Sequence, residues 1–299
     1  MGNSGTLQGT VIDPNGALVT DAKVEIRNPV SGYDRTTTTN SAGVFTFANV
    51  PYNPYHMTVE AKGFKSFVQD VEVRSSIPVN VKVGLSLGEA SQSITVEAAG
   101  DLVETDPYAH TDVDRGLFDK LPLESQSSSV SSLVTLATPG IAADSNGLFH
   151  GLGDHAENSF SVDGQPITDQ QSKIFSNQIP SDSIQSLEVI QGAPPAEYGG
   201  KTSVVIDVTT RSGLGNPIPH GELVTSYGSF GSSTVNGNLA YGNQKWGNFV
   251  SLGGLNTGRF LDPPEFQVLH DKGNEVNAFD RFDYKLSDAD SFHLNLQFT

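Results

Sequence analysis

His150-Gly151-Leu152-Gly153-Asp154-His155 is the first stretch to test for chemistry, since it holds two imidazoles and a carboxylate close together. Its histidines are five positions apart, a spacing that suits neither one helix face nor a compact zinc turn. The expected reading is a polar loop. The serines of 125–132 contain no G-x-S-x-G turn that would raise a nucleophile above a sheet. Gly151-Leu152-Gly153 lacks the preceding apolar strand and the following helix of a dinucleotide loop. Asp13 and Asn15 sit in a Pro-Gly turn, and no acidic ligand follows them at calcium-loop spacing, so an Asx turn is expected there. The carboxylates of 101–119 are expected to form a solvated acidic face. No nucleophile with its base, no metal set and no cofactor loop is legible, so the expectation is a protein that is not an enzyme.

Composition narrows the classes further. The chain has 299 residues, 17 Lys+Arg against 34 Asp+Glu, and a formal charge of −17. The acidic residues crowd into 91–213. Such a surface argues against nucleic acid, whose phosphates need a basic partner, and against docking on an anionic leaflet. There is no cysteine, hence no disulfide framework. No apolar run is long enough for a membrane-spanning helix. The start, Met1-Gly2-Asn3-Ser4-Gly5-Thr6, formally fits a myristoylation pattern, but strand character begins at Thr6. No signal peptide is legible.

Three textures follow one another. Over 6–87, Val24 and Ile26 oppose Lys23, Glu25 and Arg27, while Val79, Val81, Val83, Leu85 and Leu87 alternate with polar residues or glycine. About seven short strands with frequent turns predict a small β-sandwich with Val24, Ile26, Phe45, Phe47, Val81, Val83 and Leu85 inward. The acidic middle segment mixes helix and strand. A short helix is predicted at Arg115–Leu121, another around Val130–Ala137, and a hairpin at Ser159–Ile167 turning on Asp163-Gly164. Strands are predicted at Leu187–Ile190 and Lys201–Thr210.

After Gly213, strands near 220–229, 232–242, 248–257, 278–286 and 291–299 each carry one apolar face, as in Phe292, Leu294, Leu296 and Phe298. Tight turns at Asn243–Gly247 and Ser287–Asp290, with a longer stretch at Gly258–Asn277, match the turn-and-loop asymmetry of a transmembrane β-barrel. Five strands cannot close in lipid, so the chain is expected to be the front piece of a longer protein.

The order of parts resembles a known family. GTVIDPNGALVTDAKVEI and NSAGVFTFANVP resemble a carboxypeptidase-regulatory-like domain, a transthyretin-like sandwich. LPLES, TPGI, SFSVDGQPITD and IPSDSIQSLEVIQGAPPAEYGGKTSVVIDVTTRSG resemble the plug of TonB-dependent outer-membrane receptors, of the Oar-like and SusC-like kind that carry an extra sandwich. The resemblance implies a mainly β chain. Its parts would be a sandwich at 1–88, a linker at 89–100, an α+β plug at 101–213 and the first strands of an outer-membrane barrel of about 22 strands at 214–299. The plug motif residues would be Val162, Asp163, Gly164, Glu188, Gly192, Tyr198, Gly199, Gly200 and Arg211. Pro194, Pro195, Gly199 and Gly200 would fix a sharp reversal.

Ile94, Thr95, Val96, Glu97 and Ala98 stand where the family places its TonB box, a segment that adds a strand to a periplasmic partner. The implied partners are a TonB-type energy transducer, outer-membrane lipid and an unidentified small ligand: a siderophore, an oligosaccharide or a peptide. The implied location is the outer membrane, with the sandwich in the periplasm. Two other readings are a surface-exposed carbohydrate-binding sandwich without transport and, more distantly, the accessory domain of a metallocarboxypeptidase.

Overall fold

The computed structural model describes residues 4–29, 31–75, 77–88, 108–118, 120–121, 129–143, 149–151, 159–167, 179–199, 203–258, 260, 272–287 and 290–299. The architecture is mainly β, in three successive parts.

The first part is built from β1 (Ser4–Ile12), β2 (Lys23–Asn28), β3 (Tyr33–Thr38), β4 (Val44–Pro51), β5 (Asn53–Glu60), β6 (Phe67–Val73) and β7 (Val79–Gly84). They form two sheets, ordered β4-β1-β7 and β3-β2-β5-β6. The period-two pattern does what it must in a sandwich: Val24, Ile26, Tyr55, Met57 and Val59 are buried from one sheet, and Leu7, Phe45, Phe47 and Val83 from the other. Val81 is only half-buried and packs at the margin of this core. Asp13 caps its turn as an Asx motif, its Oδ1 accepting the Asn15 and Ala17 amides at 2.8 Å each. Phe47 meets Phe45 edge-on at 6.1 Å, with the Arg35 guanidinium over its ring. Phe47→Ala is expected to cost about 3–5 kcal/mol, because a small sandwich collapses poorly around so large a void. Guanidinium unfolding of the chain followed by the sandwich signal checks this, and an unchanged midpoint would remove Phe47 from the core.

The second part holds β8 (Ala109–Asp114), α1 (Arg115–Phe118), α2 (Ser129–Ala137), β9 (Ile141–Ala143), β10 (Phe149–Gly151), β11 (Ser159–Val162), β12 (Gln165–Ile167), β13 (Ile184–Gln191) and β14 (Val204–Thr210). Five of these strands form one sheet, ordered β12-β11-β14-β13-β8. Helix α2 lays Val130, Leu133 and Val134 on it, over Leu187, Val189, Ile206 and Val208. Helix α1 is shorter than its predicted span, and β14 begins at Val204 rather than Lys201. His150 is not in a loop: it lies on β10, paired with Ala142 of β9. Asp154 and His155 lie outside the described residues.

The third part is a five-stranded antiparallel meander, β15 (His220–Tyr227), β16 (Ser233–Gly242), β17 (Trp246–Thr257), β18 (Gly273–Lys285) and β19 (Ser291–Phe298). Strand β18 starts within the stretch expected to be loop, because β17 is long enough to pair it from Thr257↔Gly273 onward. One face of the sheet leaves Leu223, Val235, Leu239, Leu252, Val276, Phe292, Leu294, Leu296 and Phe298 exposed. The other buries Ala240, Phe249, Phe279 and Arg281. An apolar outer face with a mixed inner face is the pattern of a sheet that meets lipid outside and protein inside. Among the described residues no helix is long and apolar enough to cross a membrane.

Candidate functional site

The seam between the second part and the meander is organised by the Asp163-Gly164 turn. Both residues have positive φ, 49° and 79°, as a two-residue hairpin between β11 and β12 demands. The turn fixes Asp163 under its neighbours rather than in solvent. Its Oδ1 accepts the Thr210 amide at 2.9 Å, and its Oδ2 accepts the Thr210 hydroxyl and the Asn295 amide nitrogen at 2.7 Å each. Arg281 Nη1, from the inner face of β18, lies 2.8 Å from the same Oδ2. Burial alone would raise this carboxyl, but the Arg281 charge and the Thr210 and Asn295 bonds outweigh it and hold it below the usual carboxylate range.

Arg281 uses its whole fork. Beyond Asp163 it donates to Thr210 Oγ1 at 2.7 Å, to Asn49 Oδ1 of the sandwich at 2.9 Å, and through Nε and Nη2 to Asp283. Asn49 in turn donates to the Thr210 carbonyl at 2.8 Å. All three parts of the chain therefore meet at one guanidinium, whose planar donor geometry a lysine does not reproduce. Arg281 and Asp283 alternate in sequence with Phe282 and Tyr284, so their place on one face of the strand is local information. Their partners are not, since nothing local in sequence pairs a strand at 281 with a turn at 163.

Arg211 fastens the exit of the sheet. Its amide donates to Ser183 O at 2.8 Å, its Nη1 to Asp182 O at 3.1 Å, and its guanidinium lies 4.5 Å from the Phe249 ring centre on β17. Immediately beyond, Gly213 and Gly247 face each other backbone to backbone: a Cβ on Gly247 would stand 2.0 Å from the Leu214 amide nitrogen. Val162 packs at the edge of the plug-like core. Gly192 has φ 83° and Gly199 φ 65°, on either side of a single 3-10 turn at Ala196–Tyr198. That is the expected reversal, although Gly200 lies outside the described residues. Tyr198 is placed by it to donate its hydroxyl to Asp207 Oδ2.

Glu188 stands apart from that seam, on the face of the same sheet turned toward the sandwich. It is neighboured across β8 by Asp112 and across β14 by Asp207. For Asp112 and Asp114 this corrects the expectation of a solvated acidic face at 101–119: both are covered, Asp114 being 7% exposed, while Asp101, Glu104, Asp106 and Asp119 lie outside the described residues. The sandwich supplies the cover, with Asn53 Nδ2 donating to Asp112 Oδ2 at 3.0 Å. Burial, aided by repulsion from Asp112 and Asp207 and opposed by His110 and the Tyr108 hydroxyl, pushes Glu188 up from 4.5 to about 7.

The folded state thus holds this proton more tightly than the unfolded chain. The Glu188 contribution is most favourable below pH 4.5, and about 3 kcal/mol is lost as pH rises through about 7. Glu188→Gln removes that slope. Unfolding of both proteins across pH 5–8, with EDTA present so that protons alone titrate the site, is expected to show the variant gaining on wild type as pH rises; parallel curves would contradict it.

Ile94, Thr95, Val96, Glu97 and Ala98 lie outside the described residues.

Comparison with known proteins gives this arrangement a place. Residues 6–86 match the carboxypeptidase regulatory-like domain, and residues 113–204 match the TonB-dependent receptor plug domain. The match to the plug domain covers the Asp163 turn, Arg115, β13 and the 3-10 reversal. These matches support an N-terminal portion of a TonB-dependent receptor. The chain is 25% identical over 221 residues to the TonB-dependent transporter Oar of Myxococcus xanthus, covering 70% of this chain and 20% of that protein. The chain thus spans about a fifth of the length of this curated relative.

Among solved structures, the ferric-catecholate import receptor Fiu of E. coli K12 shares the fold, with TM-score 0.50 and 15% identity over 64% of this chain and 26% of Fiu. The pyoverdine-bound receptor FpvA of P. aeruginosa aligns with TM-score 0.48 and 17% identity, over 61% of this chain and 24% of FpvA. The plug-domain match runs from the end of β8 to the start of β14.

Proposed function

We propose that this chain is the gating end of an outer-membrane importer, in which the plug is held against the barrel wall until energy delivered from the periplasm releases it. The observation that carries the reading is the buried Asp163–Arg281 pair, which ties the plug turn to the inner face of β18. The contacts are of a releasable kind. They are polar, directional and concentrated in a few side chains, whereas the plug and the sandwich each keep an apolar core of their own.

The short connections of the barrel sheet support a periplasmic position for the sandwich. Lys285, where β18 ends at a tight turn, donates to Gln8 of β1, and the Lys285 amide bonds the Lys245 carbonyl of the other tight turn. Short turns face the periplasm in such barrels. The sandwich at that end would stand beside the TonB box proposed at Ile94–Ala98, within reach of a TonB-type transducer. Outer-membrane lipid would meet the exposed row Phe292, Leu294, Leu296 and Phe298.

The cargo would be a small ligand taken from the outer face; siderophore, oligosaccharide and peptide are the classes to screen. Full-length receptor in outer-membrane vesicles is expected to bind its cargo without energy, and cells are expected to accumulate it only when the transducer is present. Accumulation unaffected by loss of the transducer would overturn the importer reading. Among the described residues of the sandwich, no side-chain arrangement favours the carbohydrate-binding alternative over it.

A further inference from the structure

The plug sheet places three carboxylates side by side. Asp112 pairs with Glu188 across β8 and β13, and Glu188 pairs with Asp207 across β13 and β14. Like charges directly opposed in a sheet destabilise it, so a positive occupant would stabilise such a row. His110 lies on the same face of β8, two residues from Asp112, its Nε2 4.0 Å from Asp112 Oδ2. One ligand atom each from His110, Asp112 and Glu188 falls within 4.8 Å of the others. Two ligands on opposite sides of a first-row ion stand about 4.2 Å apart, so small side-chain rotations bring these three onto one centre.

The imidazole is already turned for the task. His110 Nδ1 is 3.2 Å from the Tyr108 carbonyl, the contact that commits Nδ1 to its proton and leaves Nε2 as the donor atom.

A second observation is independent of the row. Between the plug sheet and the sandwich lies a small cavity, with Asn53 and Tyr33 on the sandwich side and Asp112, Asp114 and Glu188 on the plug side. It has room for about one water-sized occupant. Asp114 is 7% exposed, and its Oδ2 has no hydrogen-bond partner, while its Oδ1 accepts the Gly116 amide at 2.9 Å. A buried carboxylate oxygen left without a donor is costly unless something occupies the space it faces. The neighbouring cation from the sandwich, Arg35, is directed at the Tyr33 hydroxyl and the Ala48 carbonyl.

We propose that this face of the plug is a binding site for a divalent transition-metal ion, with His110, Asp112 and Glu188 as its protein ligands and Asp114 facing it from the cavity wall. An imidazole nitrogen beside two carboxylates favours zinc or iron(II) over calcium and magnesium, which prefer all-oxygen cages. The site stands whether or not the receptor imports anything.

The test uses the 299-residue chain in detergent micelles, stripped with EDTA and dialysed, and titrated calorimetrically with zinc chloride. One zinc per chain is expected. Binding should weaken at least tenfold in His110→Gln and in Glu188→Gln, and stay unchanged in His220→Ala, which alters an exposed histidine on β15. Circular dichroism confirms that each variant is folded. Cobalt(II) added to the wild-type chain gives a reading that needs no variant: a visible spectrum distinct from that of the aqueous ion is expected. Absence of saturable zinc binding, wild-type affinity in both ligand variants, calcium bound as tightly as zinc, or an aqueous cobalt spectrum would each overturn the proposal.

Discussion

Arg281→Ala is expected to destabilise the chain by about 3–5 kcal/mol, the penalty for leaving a buried charge without its partner. The side chain of Arg281 is 3% exposed and that of Asp163 is 4% exposed, so water cannot take over the missing contact. Asp163 would keep the Thr210 and Asn295 donors but lose its counter-charge, and Asp283 would lose its chelating partner at the same time. Arg281→Lys is expected to recover only part of the loss, because one ammonium cannot serve Asp163, Thr210, Asn49 and Asp283 together. Denaturant unfolding in micelles measures the cost. The double variant with Asp163→Asn should be less destabilised than the sum of the two single changes, as expected of groups in contact. A loss below about 1 kcal/mol for Arg281→Ala would show the pair to be incidental and would remove the main support for the gate.

Val96→Pro in the full-length receptor is expected to abolish energised uptake while leaving cargo binding intact. The proposed TonB box would work by adding a strand to its partner, and a strand depends on main-chain donors and extended φ more than on particular side chains. Proline removes one donor and fixes φ. A segment of five residues forms only a few such bonds, each worth about 1 kcal/mol net, against the cost of ordering the segment. Losing one is then enough to tip the balance. Thr95→Ser keeps both the donor and the hydroxyl and is expected to transport normally. Uptake measured with and without the transducer, alongside equilibrium cargo binding, separates the outcomes. Uptake that survives the proline, or a loss of binding equal to the loss of uptake, would return Ile94–Ala98 to the status of a linker.

The sequence by itself determined the three textures of this chain, and the physical reason is periodicity. Alternation at Val24 and Ile26, or at Phe292 to Phe298, specifies a strand and its two faces without reference to anything distant. Asp163-Gly164 specified its turn, because few dipeptides accept two consecutive positive φ values. The plug and sandwich families were legible for the same reason, as ordered runs of local motifs.

What faces what was decided only by tertiary structure. Arg281 read as a polar position on a barrel strand, and only the fold brings it to Asp163 and Asn49, 118 and 232 residues away in sequence. Asp112 read as one member of a solvated acidic stretch. Register across β8, β13 and β14 instead stacks it with Glu188 and Asp207, and the sandwich shuts it from water. A residue's charge is written in its type, but its dielectric surroundings and its neighbours across a sheet are set by strand order. That order is fixed by the packing of whole faces, which no short window of sequence contains.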